Sequence, residues 1–328
     1  MSSKIKLAIL TGGPSAELEV SLKSARVVLE NLDPQKYDAH LIDMSSLPWK
    51  VKDAQGKRYD LDLNTFGIAG VNHQYEVAFL AIHGTPAEDG KVQGYLDLMG
   101  VPYSSCSVLA SAITFDKDIT KQLLKEIAIP MAKSLLFTKS NGLNIQDVKN
   151  KLTYPVFVKP NKNGSSYGVS KVKEASAFDE ALSNALKYDD EVLVEEFIDG
   201  RELACGLLED QGKLVCFPIT EISTENEFFD YEAKYLGKSR EVTPAPISEE
   251  QKKRCFEWSK QVYRQLKLTG AVRVDYFLKE NKFYFLEVNS IPGLSAASLL
   301  PQQAMAHGLS LAAFFDKIIT NAMQKGNN

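Results

Sequence analysis

Residues 271 to 289, AVRVDYFLKENKFYFLEVN, constrain this chain more than any other stretch. They form two β-rich runs around a polar turn, the signature of a hairpin. Residues two apart on a strand share a face, so Arg273 projects with Asp275 and Glu287 projects with Asn289. A turn with an odd number of residues, such as Glu280-Asn281-Lys282, sets Asp275 opposite Glu287 and gathers all four groups on one patch; an even turn separates them. Two carboxylates and an amide oxygen make a hard-oxygen set suited to Mg²⁺, which keeps waters and takes phosphate oxygens from its substrate. An adjacent arginine suits the same anion. Alone, the segment reads better as an amphipathic hairpin with a charged solvent face. The turn that follows, Ser290-Ile291-Pro292-Gly293, tips the reading toward a site, because functional residues concentrate where strands open into loops.

A chain of 328 residues has room for two or three domains with real cores. With 44% apolar and 24% charged residues the composition is that of an ordinary globular protein. A net charge of −4 without a long basic run argues against nucleic acid or an anionic membrane as the main partner. No apolar stretch approaches a spanning length, and Ile5 to Leu10 is too short for a secretory core, so a cytoplasmic location is expected. Cys106, Cys205, Cys216 and Cys255 are widely spaced and read as small buried hydrophobes, not as a disulfide framework or zinc site.

Organisation changes twice along the chain. Residues 1–104 alternate apolar runs with helical periodicity, the rhythm of a parallel sheet covered by helices. Residues 105–196 read as a small α+β unit, with a helix near 117–127, strand-like LLFT and VFVK, a helix near 175–186 and strand-like VLVEEFI. Residues 197–328 add strands, a polar and aromatic stretch at 222–246, a helix at 249–266, the hairpin and a closing helix from about Leu309.

Two further segments carry chemistry. In VKPNKNGSSYGV, Lys159 ends a strand and the Gly/Ser loop behind it offers hydroxyls and backbone N–H groups able to fold over phosphates. It lacks the Walker pattern, and by itself such a loop is often only a turn. Lys117 opens the preceding helix, and Glu195 and Glu202 flank a strand whose edge suits a nucleoside. In TGGPSAE, a strand passes through paired glycines into a helix, presenting N–H groups to a ligand. Glu17 there either complements the helix dipole or holds a substrate ammonium, and His83 closes a later strand where open parallel sheets bind ligands.

The ordered motifs GGPSAELEVS, AIHGTPAEDG, VKPNKNGSSYGVSKV, DYEAKY, RVDYF and EVNSIPGLSAAS resemble the D-alanine–D-alanine ligases of the ATP-grasp superfamily, over about residues 5–315. Pro86-Ala87 stands where a glycine is frequent before EDG, and Ser290 and Ser295 stand where threonines are usual. The resemblance implies an α/β (α+β) ATP-grasp fold of three domains: a Rossmann-like amino-terminal domain (1–104), a small central domain (105–196) and a carboxy-terminal domain (197–328), with ATP between the last two. It implies that Lys117, Lys159 and Lys234 hold phosphates, that Ser165 and Ser166 lie in the loop over them, and that Glu195, Phe197, Ile198 and Glu202 hold the adenosine. Asp275, Glu287 and Asn289 would bind two Mg²⁺ ions, with Mn²⁺ as a substitute. Glu17 and His83 would meet the first D-alanine, Ser298 and Leu299 the second, Gly293 would bind substrate, and Ser165 and Tyr235 would join Glu17 in a set linking three domains. Arg273 would stabilise the oxyanion, and residues 225–231 read as a lid. The implied reaction joins two D-alanines through an acyl phosphate for peptidoglycan synthesis, in a homodimer. The alternatives are a D-alanyl-D-lactate or D-alanyl-D-serine ligase, or a nucleotide-binding sensor without turnover.

Overall fold

The computed structural model describes residues 3–53, 56–138, 140, 145–224 and 239–326. Three sheets are built from these residues. The first takes β1 (Ile5–Thr11), β2 (Tyr37–Asp43), β3 (Lys50–Lys52), β4 (Arg58–Asp62), β5 (Gly67–Ile68) and β6 (Val77–Leu80), in the order β5-β4-β3-β2-β1-β6. Its β2-β1-β6 half is parallel, as the sequence rhythm requires. The β3 to β5 half is antiparallel, so the sheet is mixed rather than wholly parallel. These short edge strands carry too few residues to show an alternating pattern.

Helix α1 (Leu18–Asn31) leaves the C-terminal end of β1 and covers one face. Helices α2 (Lys91–Met99), α3 (Val108–Phe115) and α4 (Lys117–Leu124) follow β6. The start of α3 is fixed by Ser107, whose hydroxyl accepts from the Ala110 N–H, and that of α4 by Asp116, whose carboxylate accepts from Ile119. The central unit pairs β7 (Ser134–Thr138), β8 (Val156–Pro160), β9 (Ser170–Val172) and β10 (Glu191–Glu196) in the order β7-β10-β8-β9, with α5 (Ile145–Lys151) and α6 (Phe178–Ala185) packed on it. Val148, Val158, Phe178, Val192 and Val194 give this unit a separate small core.

The third sheet comprises β11 (Arg201–Asp210), β12 (Lys213–Cys216), β13 (Thr220–Thr224), β14 (Ser239–Val242), β15 (Ala271–Lys279) and β16 (Lys282–Asn289). Helix α7 (Glu249–Gln265), opened by a Ser248/Gln251 capping box, packs its Cys255 and Val262 against Val274 and Tyr276 in the sheet's core. Cys106, Ala110 and Leu124 enter this same core, so α3 and α4 are docked on the third sheet. Helix α8 (Leu299–Ala306) precedes α9 (Leu311–Gly326), whose Phe314, Phe315, Ile318 and Ile319 pack with Leu7, Ile9 and Phe79 of the first sheet. The first and third sheets are therefore joined by a shared core, whereas the central unit is buried mainly on itself.

The hairpin reaches its register by a different route from the one expected. Its turn has two residues, Glu280 and Asn281, both left-handed (φ 48° and 64°), with Lys279 paired to Lys282. That geometry matches the twist of the flanking strands. An even turn by itself would have set Asp275 off Glu287, but a β-bulge at Leu286 shifts the register between Tyr276 and Asp275, restoring the pairs Asp275–Glu287 and Arg273–Asn289.

Candidate active site

Two cavities meet between the three sheets. The first, of about 370 Å³, is lined by α1, the β6 end, the 163–165 loop, β14 to β16 and the start of α8. The second, of about 120 Å³, lies between the central and third sheets. Lys117, Asn163, Gly164, Ser165 and Glu287 line both and form their common wall.

This wall is held by a network that begins at the α4 cap. Asn161 donates to Asp116 (2.9 Å) and accepts from the Asp118 N–H (2.9 Å), tying the end of β8 to the start of α4. Lys117 then donates to the Asn163 carbonyl at 2.7 Å. Burial, first of all, lowers the Lys117 pKa although Glu287 nearby opposes the shift. Ser165, in a left-handed conformation (φ 48°), donates its hydroxyl to Glu17. Gly164 lets the loop come close beside it, since a Cβ there would lie 2.7 Å from Glu17 Oε2. Glu17 is the N-cap residue of α1, yet its side chain makes no capping bond. Its carboxylate is turned across to the central unit instead, and Glu19 is the acidic residue of the first helical turn.

His83 is 3% exposed. Its Nδ1 faces the Ile291 carbonyl (3.1 Å) and so carries the proton, leaving Nε2 to accept from the Ser24 hydroxyl (2.9 Å). Burial lowers its pKa, which fits this neutral form. With both nitrogens engaged, His83 fastens the 291–294 turn to α1, and Leu294 N–H completes the link by donating to Ser24 at 3.3 Å.

Glu88 was missed by the sequence reading. It sits at the end of the same segment, lines the first cavity, and lies 3.9 Å from His83. Burial, reinforced by the Glu17 carboxylate, pushes it up to about 8. Because its ordinary value is 4.5, the folded state holds this proton where the unfolded chain releases it. Its contribution to stability is therefore full below 4.5 and is lost as pH rises through about 8. Glu88→Gln should not show that loss, so the melting temperature of the variant relative to the native chain is expected to climb between pH 5 and pH 8. Parallel melting curves across that range would remove Glu88 as a buried acid.

The second cavity has apolar walls from Phe157, Val169, Ile198, Phe277 and Phe285, with Lys159, Ser166, Glu195 and Glu202 at its edges. Glu195 is 6% exposed and is ion-paired with Lys121 and Lys159. Its own burial opposes ionisation, but the two lysines outweigh it and hold the carboxyl down at about 2. Lys121, one turn beyond Lys117 on α4, is a second residue the sequence reading passed over. Phe197 lines neither cavity, its ring lying 5.8 Å from that of Phe157 with Lys171 above it.

At the hairpin, Arg273 donates to both Asp275 oxygens (2.8 and 2.8 Å), and Asn289 donates to Asp275 Oδ2 at 2.9 Å. Burial alone would lower the Arg273 pKa, but the Asp275 charge raises it further, so the guanidinium is permanently charged. Among the described residues no three of His, Cys, Asp and Glu gather into a metal-holding group. The set here is Asp275, Glu287 and the Asn289 amide, a hard-oxygen set that fits an ion completing its shell with water and phosphate.

Gly293, Ser298 and Leu299 border the first cavity at the start of α8. Ser298, its N-cap residue, makes no side-chain capping bond; its hydroxyl pairs with Ser295 at 2.8 Å. The helix is laid close on β11 because Gly206 has no side chain, where a Cβ would meet Gln303 and Leu300 at 2.4 Å. Glu241 of β14 also faces this cavity and accepts from Gln302 at 2.9 Å, its pKa raised by burial. Lys234, Tyr235 and the lid stretch 225–231 lie outside the described residues.

A partly apolar slot between two α+β units, meeting a polar chamber at a wall of Lys117 and the Gly/Ser loop, is the arrangement of an ATP-grasp ligase. Residues 6–106 match the family model described as D-ala D-ala ligase N-terminus, and residues 123–320 match D-ala D-ala ligase C-terminus. The chain belongs to the D-alanine–D-alanine ligase family. It is 41% identical to a D-alanine–D-alanine ligase of Bacteroides fragilis, over 97% of this chain and 99% of that protein. Among solved structures it is similar to the VanG D-Ala:D-Ser ligase of Enterococcus faecalis (TM-score 0.87, 33% identity, 98% of this chain and 100% of that one). It is also similar to the ATP complex of D-alanine–D-alanine ligase from Bacillus anthracis (TM-score 0.81, 31% identity, 98% and 99%). Among the described residues no helix is long and apolar enough to cross a membrane.

Proposed function

We propose that this chain joins two molecules of D-alanine to D-alanyl-D-alanine at the expense of ATP, releasing ADP and phosphate. The observation that carries the reading is the common wall of the two cavities: a nucleotide in the second reaches the amino-acid chamber only past Lys117, Ser165 and Glu287. Adenine would enter the apolar slot, with Glu195 and Glu202 on its amino and ribose groups, and the phosphates would lie along Lys159, Lys117 and the 163–166 loop. Lys159 is ion-paired to Glu195 here; phosphate would draw it away. Lys234 is a further candidate for the phosphates. Asp275, Glu287 and Asn289 would hold Mg²⁺, two ions in this reading. Bound there, Mg²⁺ supplies neutralisation of phosphate charge.

The first D-alanine presents its ammonium to Glu17 and its carboxylate to the γ-phosphorus. Anion attacks anion, so Lys117 has to reduce the repulsion before an acyl phosphate can form. The second D-alanine lies against the start of α8, where the N–H groups of Leu299 and Leu300, without a capping side chain, suit its carboxylate. Once deprotonated, its amine adds to the acyl carbonyl, and the charged, fixed Arg273 is placed to stabilise the oxyanion. Phosphate leaves. Holding both amino acids in line would contribute roughly 7 to 11 kcal/mol to lowering the barrier.

A cytoplasmic location, a homodimer and a role in peptidoglycan precursor synthesis complete the proposal; they rest on the family. The test is ADP release with D-alanine, L-alanine, D-serine and D-lactate, with products identified by mass spectrometry. D-alanyl-D-alanine should be the main product. Predominance of D-alanyl-D-serine, the choice suggested by the VanG name, would overturn the substrate assignment, and absence of turnover would favour a nucleotide sensor.

A further inference from the structure

Lys23 is the cation of the first cavity that the reaction above leaves without a task. It lies on α1 one turn beyond Val20, and both line the chamber together with Ser295, Ser298 and Leu299. The chamber's other cations are already engaged: Arg273 is fixed by Asp275 at 2.8 Å and Lys117 by the Asn163 carbonyl at 2.7 Å. Lys117 also belongs to the wall facing the nucleotide slot, whereas Lys23 borders only the amino-acid chamber. No hydrogen bond or ion pair to another described residue engages Lys23, and its side chain is exposed. Its neighbour Ser24 is joined both to His83 and to Leu294, so this part of α1 is pinned against the turn leading to α8.

Charge balance asks for a cation in this place. Glu17, Glu241 and Glu287 also line the chamber, beside the protonated Glu88. The first substrate's carboxylate is consumed in the acyl phosphate, but that of the second remains an anion from entry to product. The uncapped α8 start offers it dipoles and N–H groups without a full positive charge.

We propose that Lys23 is the countercharge for the carboxylate of the second amino acid, acting with the first turn of α8, and thereby selects a free carboxylate over a neutral end group. This rests on the D-alanine-joining reading. As a positioning residue it should govern capture of the second substrate, leaving the phosphoryl transfer untouched.

The test sets substrates against each other in one reaction. Native chain, Lys23→Gln and Lys23→Arg are supplied with ATP, D-alanine and D-alaninamide, whose end group is neutral, and dipeptide and dipeptide amide are quantified by mass spectrometry. Lys23→Gln should shift the product ratio toward the amide by roughly 5- to 20-fold, the range between an exposed ion pair and an enclosed charge-assisted contact. Lys23→Arg should restore the native ratio. Raised salt should shift the native ratio the same way and leave Lys23→Gln nearly unchanged. The KM for ATP should stay within about twofold, as expected for independent sites. An unchanged ratio in Lys23→Gln, or equal losses of both products, overturns the proposal. Native chain that forms neither product refutes the underlying function instead.

Discussion

Exchanging Asp275 for Asn, or Glu287 for Gln, is expected to reduce turnover by roughly 10²- to 10³-fold or more, the scale on which a fixed electrostatic group acts on a developing charge. The two variants should differ in stability. Asp275 is 2% exposed and holds the half-buried Arg273 through two of its hydrogen bonds. Removing its charge takes the nearest anion from a guanidinium that still faces Glu287 and Glu202, a loss of about 1.5 to 3 kcal/mol. Glu287 lines both cavities, and Glu287→Gln keeps its volume, so its fold should persist while the chemistry fails. The measurement is single-turnover ADP formation across a Mg²⁺ titration, alongside thermal unfolding. Near-native rates for Glu287→Gln at saturating Mg²⁺ would end the assignment of the hairpin carboxylates to the metal.

That hairpin also marks the extent to which the sequence is readable. Two-residue periodicity places Arg273 with Asp275 and Glu287 with Asn289 without reference to the rest of the chain, and the structure sets them opposite each other. The bulge at Leu286 was not legible. A bulge is an extra residue in a ladder, and Leu286 has no side-chain signature that separates it from its strand neighbours. Helix starts were legible where a cap or a periodic run marks them, as at Glu249. The short strands at 50–68 were not, because edge pairing is decided by backbone partners.

Glu88, Lys121 and Lys23 share another difficulty. Each is an ordinary charged residue by its local context, and what singles it out is the neighbour supplied by a distant segment: Glu17 for Glu88, Glu195 for Lys121, the α8 start for Lys23. Conversely Phe197, placed with the nucleotide on its motif, turns its ring to Phe157 and Lys171. Position in a motif does not fix the direction of a side chain.

Glu17 should show the second large effect. The sequence allowed either a residue complementing the helix dipole or an anchor for the first ammonium. The Glu17 carboxylate makes no capping bond and receives the Ser165 hydroxyl from the central unit, which supports the anchor. Two glycines leave it room: a Cβ at Gly164 would lie 2.7 Å from Oε2, and one at Gly84 3.2 Å from it. Glu17→Gln would keep a hydrogen bond from Ser165 but would turn an ammonium–carboxylate contact into a neutral one. A bond to a charged group contributes about 1.5 to 3 kcal/mol, so the first D-alanine should bind roughly 10- to 150-fold more weakly. ATP affinity should change little, because the slot walls around Phe157 and Ile198 do not include Glu17. The two KM values for D-alanine, separated by varying substrate at saturating ATP, together with nucleotide binding measured by calorimetry, provide the check. Loss confined to the first D-alanine site supports the anchor. If only the stability falls, by the fraction of a kcal/mol expected of a helix-end charge, then Glu17 is a structural residue and the ammonium must be held elsewhere in the chamber.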